Sequence, residues 1–109
     1  MKRVKSAAYL DFIRALPCCI CLDNTSTEAA HIRFGDRRAA KRPTGLGERP
    51  DDRWAIPLCG AHHRWQHARG EKLFWEEMDK DPIFLALALQ ASAGDLEAAE
   101  EIIRGHRQG

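Results

Sequence analysis

Two short runs in this 109-residue chain pair residues that bind soft metal ions: Cys18-Cys19-Ile20-Cys21 and Cys59-Gly60-Ala61-His62. Two ligands separated by two residues can turn inward onto one ion, and two such pairs complete a tetrahedron. Cys18, Cys21, Cys59 and His62 are therefore expected to hold one structural Zn2+ as a Cys3His set. Cys19 faces elsewhere and is expected to pack as a small apolar residue. The thirty-seven residues between the pairs exclude an ordinary Cys2His2 finger, whose spacer is about twelve. Disulfides are not expected, because the basic N-terminus leads into a segment too polar for a secretion signal.

A second histidine group follows directly. His63 and His67 stand four apart, so on a helix they share a face and can hold one further metal ion. His31, on a segment that reads as extended, is the obvious third histidine. The run His63-Arg64-Trp65-Gln66-His67 has the histidine spacing of a zinc protease, but that chemistry needs Glu where Arg64 stands. A protease is excluded. Arg33, Arg37, Arg38, Lys41 and Arg42 put five cations within ten residues beside His31, and are read as phosphate contacts to DNA.

Several elements must position these residues. Ser6 can cap a helix to about Leu16, which Pro17 ends. Thr25 to Arg33 and Arg53 to Leu58 read as short strands, and Phe34 to Asp52 between them as a long loop. Gly60 to Arg69 reads as the metal-binding helix, followed by helices over Glu71 to Met78, Pro82 to Ala91, and Asp95 to Arg104. Trp54, Trp65 and Trp75 are expected in the core. The organisation is a single domain over 1–109: an N-terminal helix (1–17), a zinc knuckle with the metal core (18–70), and a helical tail (71–109). The fold class is α+β. Charge divides along the same line: residues 1–69 hold thirteen Lys/Arg against seven Asp/Glu, residues 70–109 four against nine. The basic part contains every candidate site, which favours a polyanionic partner. No run approaches the roughly 20 apolar residues of a membrane helix, so no membrane is expected and the location is read as cytoplasmic.

Pro17-Cys18-Cys19-Ile20-Cys21, Ala29-Ala30-His31-Ile32 and Pro57-Leu58-Cys59-Gly60-Ala61-His62-His63 with His67 together resemble the HNH endonucleases. More narrowly, the chain is similar to prophage-encoded HNH proteins of the group that includes the RecA-dependent nuclease Ref. The likeness covers about residues 10–90 and extends to Gly45-Leu46-Gly47-Glu48 and Asp51-Asp52-Arg53-Trp54. It implies a small ββα-metal core and metal-dependent hydrolysis of DNA phosphodiesters. His31 matches the general base, and His63 and His67 match ligands of a catalytic divalent metal (Mg2+, Mn2+ or Zn2+). A RecA-type recombinase filament is the partner the group implies. Two positions depart from the pattern. Ala30 stands where many members carry a metal ligand, so the ion would have two imidazoles with water and substrate, or a ligand from Glu28, Asp36 or Asp52. Alternatively His31 is itself a ligand. The middle asparagine is also absent, with Asp52 or Arg53 near its place, and Asp52 could instead bond across the hairpin. The competing function is a catalytically inactive zinc-knuckle module that binds DNA or a recombination protein.

Overall fold

A computed structural model describes the backbone of residues 5–108 and the side chains of residues 5–105. Met1–Val4, most of the basic N-terminal run, and Gly109, the end of the expected domain, lie outside the described residues. Ser6 caps α1 (Ala7–Arg14), its Oγ accepting from the Tyr9 amide at 3.1 Å. The helix stops two residues before the expected Leu16, since the residue before Pro17 is pushed out of helical geometry. Phe12 and Ile13 bury its inner face with Leu16 just beyond.

The sheet has two antiparallel strands, β1 (Thr27–His31) and β2 (Ala55–Cys59), in register Thr27↔Cys59 through His31↔Ala55. Every residue of β2 is buried. Its second edge is covered where the Cys19 amide donates to the Pro57 carbonyl at 3.0 Å. β2 runs directly into α2 (Gly60–Arg69), with Cys59 ending the strand and capping the helix. α3 (Glu71–Met78), α4 (Pro82–Ala91) and α5 (Leu96–Gln108) complete the order. Asp81 caps α4 ahead of Pro82, and the helix buries Ile83, Leu85, Ala86 and Leu89 against β2 and the Trp54 turn. Ala99 and Ile103 seat α5 on α4. At roughly 1.5–3 kcal/mol for each large apolar side chain removed from water, these residues form the driving core. No helix among the described residues is long and apolar enough to cross a membrane.

The segment between the strands is more ordered than a structureless loop. Asp36 caps a 3-10 turn at Arg37–Ala39 and pairs with Lys41 in an isolated bridge. Gly35 is required there, because a Cβ would come within 2.8 Å of Pro43 Cδ. A second 3-10 turn, Asp52–Trp54, takes up the start of the expected second strand.

Candidate metal centre and adjacent histidines

The knuckle turn presents Cys18 and Cys21, and the β2–α2 junction presents Cys59 and His62. Their ligand atoms all lie within 4.8 Å of one another. Cys21 Sγ is 3.9 Å from Cys59 Sγ, while His62 Nδ1 is 3.8 Å from Cys18 Sγ and 3.2 Å from Cys59 Sγ. A tetrahedron with Zn–S about 2.3 Å and Zn–N about 2.0–2.1 Å has edges of about 3.4–3.8 Å. The donor set and its spacing fit zinc. The Ile20 amide points at Cys18 Sγ (3.4 Å) and the His62 amide at Cys59 Sγ (3.5 Å), so backbone donors support the sulfurs. Leu22 closes the knuckle at φ 66, a left-handed conformation that a branched side chain accepts only under constraint.

Burial pushes the Cys21 thiol up to about 11; the Asp23 amide opposes this, and the neighbouring Cys18 and Cys59 sulfurs add to it. Three ionised sulfurs at these distances are stable only around a positive charge. Cys19 is fully buried, which drives its thiol well up and makes it the packing residue expected. Trp65 departs from expectation. It is 50% exposed, because it stacks on His62 at 5.7 Å, outside the centre, with its edge against Phe74. Trp54 and Trp75 are buried as expected.

Two further histidines, His31 and His63, each pair with a carboxylate. His63 Nδ1 lies 2.7 Å from Glu28 Oε1, and the His63 and His67 rings sit 4.9 Å apart. His31, at the end of β1, puts Nε2 2.9 Å from Asp52 Oδ1. The across-hairpin bond anticipated for Asp52 is thus present. Asp52 is buried, and its other oxygen accepts from the Ser6 amide at 2.8 Å. An ionised carboxylate only accepts, so His31 Nε2 and His63 Nδ1 are the donors of these two bonds, and His31 Nδ1 and His63 Nε2 are the ring nitrogens left outside them. Among the described residues, only the Cys3His group brings its ligand atoms within 4.8 Å of one another; His31, His63 and His67 are not gathered so tightly. Asp36, a candidate ligand, is instead held by Arg38 and lies in the loop.

α2 runs alongside β1. Its first turn meets Glu28 through His63. Past its end, Glu71 accepts from the Arg33 and Phe34 amides and from Gln66 Nε2. His67 therefore lies four residues, about 6 Å along the helix axis, further toward the His31 end than His63. Glu71 was invisible in the sequence, since its partners are backbone amides 37 and 38 residues away.

The basic loop divides. Arg33, Arg37, Arg38 and Arg42 are exposed, while Lys41 is buried. Lys41 Nζ donates to the Phe34 carbonyl at 2.6 Å and lies 5.6 Å from the Trp54 ring centre. It braces the loop from within and is not a phosphate contact as expected. Arg38 pairs with Asp36 and Asp81, and Arg42 with Glu48. A cavity of about 140 Å³ beneath the loop adds Arg49 and Arg53 to this surface. No curated protein and no solved structure matches the chain. A family pattern does match it, over residues 1–93 and so over all but the last helix, and the chain belongs to that family, described as protein of unknown function (DUF968).

Proposed function

We propose that the chain is a metal-dependent DNA endonuclease of HNH type, in which the zinc-pinned hairpin and helix form a ββα-metal core. The observation that carries this reading is the His31–Asp52 pair. A buried carboxylate accepts from one imidazole nitrogen, Nε2, and leaves the other, Nδ1, with no hydrogen-bond partner among the described residues. A general base for water needs that tautomer and a pKa near neutrality, which imidazole has. His63 and His67 supply adjacent imidazoles that suit a second divalent ion, which when bound would polarise the phosphoryl oxygen and cover the leaving group.

β1 is an edge strand, and His31 projects from its end while α2 lies along its length. A phosphodiester backbone following that edge would meet His31 and His67 in turn, with Arg33 and Arg37 beside them. In this scheme His31 Nδ1 takes the proton of the attacking water, and Asp52 holds the ring and balances the imidazolium. The arginines orient the strand by its phosphates.

The inactive-module reading has its own support in the wider separation of His31, His63 and His67 compared with the zinc ligands. Plasmid nicking in Mg2+, Mn2+ or Ni2+ decides between the two. Wild type should nick, and His31→Ala should lose at least a hundredfold in rate while keeping its zinc. Equal rates in the two proteins would remove His31 as base. No nicking by wild type in any metal would favour the binding module.

A further inference from the structure

We infer that Glu28 is a positioning residue for His63, fixing the tautomer through which His63 would bind the second ion. The inference rests on the reading of His63 and His67 as ligands of that ion. Ala30 faces the core at 1% exposure and offers no donor, so the strand contributes none at the position next to His31. Two residues earlier, on the same face of β1, Glu28 reaches across to α2. Its Oε1 lies 2.7 Å from His63 Nδ1 and accepts from it, which leaves Nε2 as the atom open to the ion. Metal-binding histidines are commonly held this way by a carboxylate on the second nitrogen, which raises ligand basicity and fixes the ring plane.

The local backbone makes room for it. Glu28 pairs with Leu58 in the register, which sets it beside the start of α2. Gly60 occupies the first helical position, where a Cβ would lie 3.2 Å from Glu28 Oε2. A side chain there would press on the carboxylate and on the Arg64 guanidinium, 3.1 Å from the same point, so glycine leaves both undisturbed. Glu28 thereby takes on an orienting role in place of the ligand missing at Ala30.

The test uses the full, zinc-loaded chain as wild type, Glu28→Gln and Glu28→Ala. Long-range nitrogen–proton spectra before metal addition report the His63 tautomer, and calorimetric titration with Ni2+ reports the second ion, with zinc counted afterwards. Wild-type His63 should carry its proton on Nδ1 and the chain should take one further ion. Glu28→Ala should bind that ion about 10–100-fold more weakly. Glu28→Gln should fall between, since its amide oxygen still accepts from Nδ1 without the charge. A wild type protonated on Nε2, a wild type that takes no second ion, or a Glu28→Ala that binds equally well would overturn the inference. A surface ion pair of purely structural role would change melting alone and leave affinity unmoved, which also overturns it. Nicking is scored separately. A chain that shows this order of affinities yet leaves DNA whole removes the nuclease reading and keeps this one.

Discussion

Cys59 carries three duties at once, so its replacement tests the zinc assignment most severely. It ends β2, its Sγ accepts from the His62 amide to cap α2, and it contributes one of the three sulfurs of the centre. In Cys59→Ala the cap alone is worth about 1 kcal/mol. Structural zinc in small domains contributes an apparent 10–16 kcal/mol or so, against a net domain stability of about 5–15 kcal/mol. Losing only a third of the lower figure, about 3 kcal/mol, would lower Tm by about 12–24 °C in a domain of this size. Losing all of it would abolish cooperative unfolding. The assay pairs zinc counting on the purified protein with calorimetric melting, before and after a chelator. Cys59→Ser separates the duties, since serine is a good cap but not a zinc ligand. It should melt within a degree-scale cap increment of Cys59→Ala and far below wild type. A Cys59→Ala protein with wild-type Tm, or a wild type whose melting ignores the chelator, would refute the argument.

Asp52→Asn should lower stability by about 1–2 kcal/mol, because the bonds to the Ser6 amide and His31 lose their charge assistance. On the proposed mechanism it should also slow nicking about a hundredfold or more, through the wrong His31 tautomer, and unchanged nicking would dissociate Asp52 from the reaction. Phe74 is fully buried and in T-shaped contact with both Trp65 and Trp75, so Phe74→Ala should cost about 3–5 kcal/mol and redden tryptophan fluorescence. Its zinc content should stay at the wild-type level, which distinguishes loss of packing from loss of the centre.

The Cys3His quartet was legible because its information is local: each pair lies within four residues, and only the meeting of the pairs is long-range. Helix starts were legible for the same reason. Ser6, Asp81 and Asp95 each accept from amides two or three residues ahead. Strand ends were harder. Asp23 draws Thr25 into a side-chain turn through both its amide and hydroxyl, so β1 begins at Thr27 and not at Thr25. Lys41 misled because composition marks a lysine as solvent-facing, whereas its acceptor is the backbone carbonyl of Phe34, which no side-chain pattern encodes. Trp65 misled in the opposite sense. His62 must face the knuckle, and the residue three positions on lies beside it at the surface, so the indole covers the ligand and leaves one face to water. The Glu28–His63 bond spans 35 residues, and only the strand register reveals it among the alternatives the sequence allowed.

The absence of any linker between β2 and α2 makes this junction sensitive to length more than to identity. One residue inserted after Cys59 would turn the whole of α2 by about 100° and advance it by about 1.5 Å. His62 would leave the sulfurs, and His63 and His67 would swing together off the β1 edge. Substitutions nearby would disturb these pairings one at a time, whereas a single-codon insertion would break the Cys3His cluster and the Glu28–His63 pair in one step. The junction therefore acts as a fixed phase angle between strand and helix.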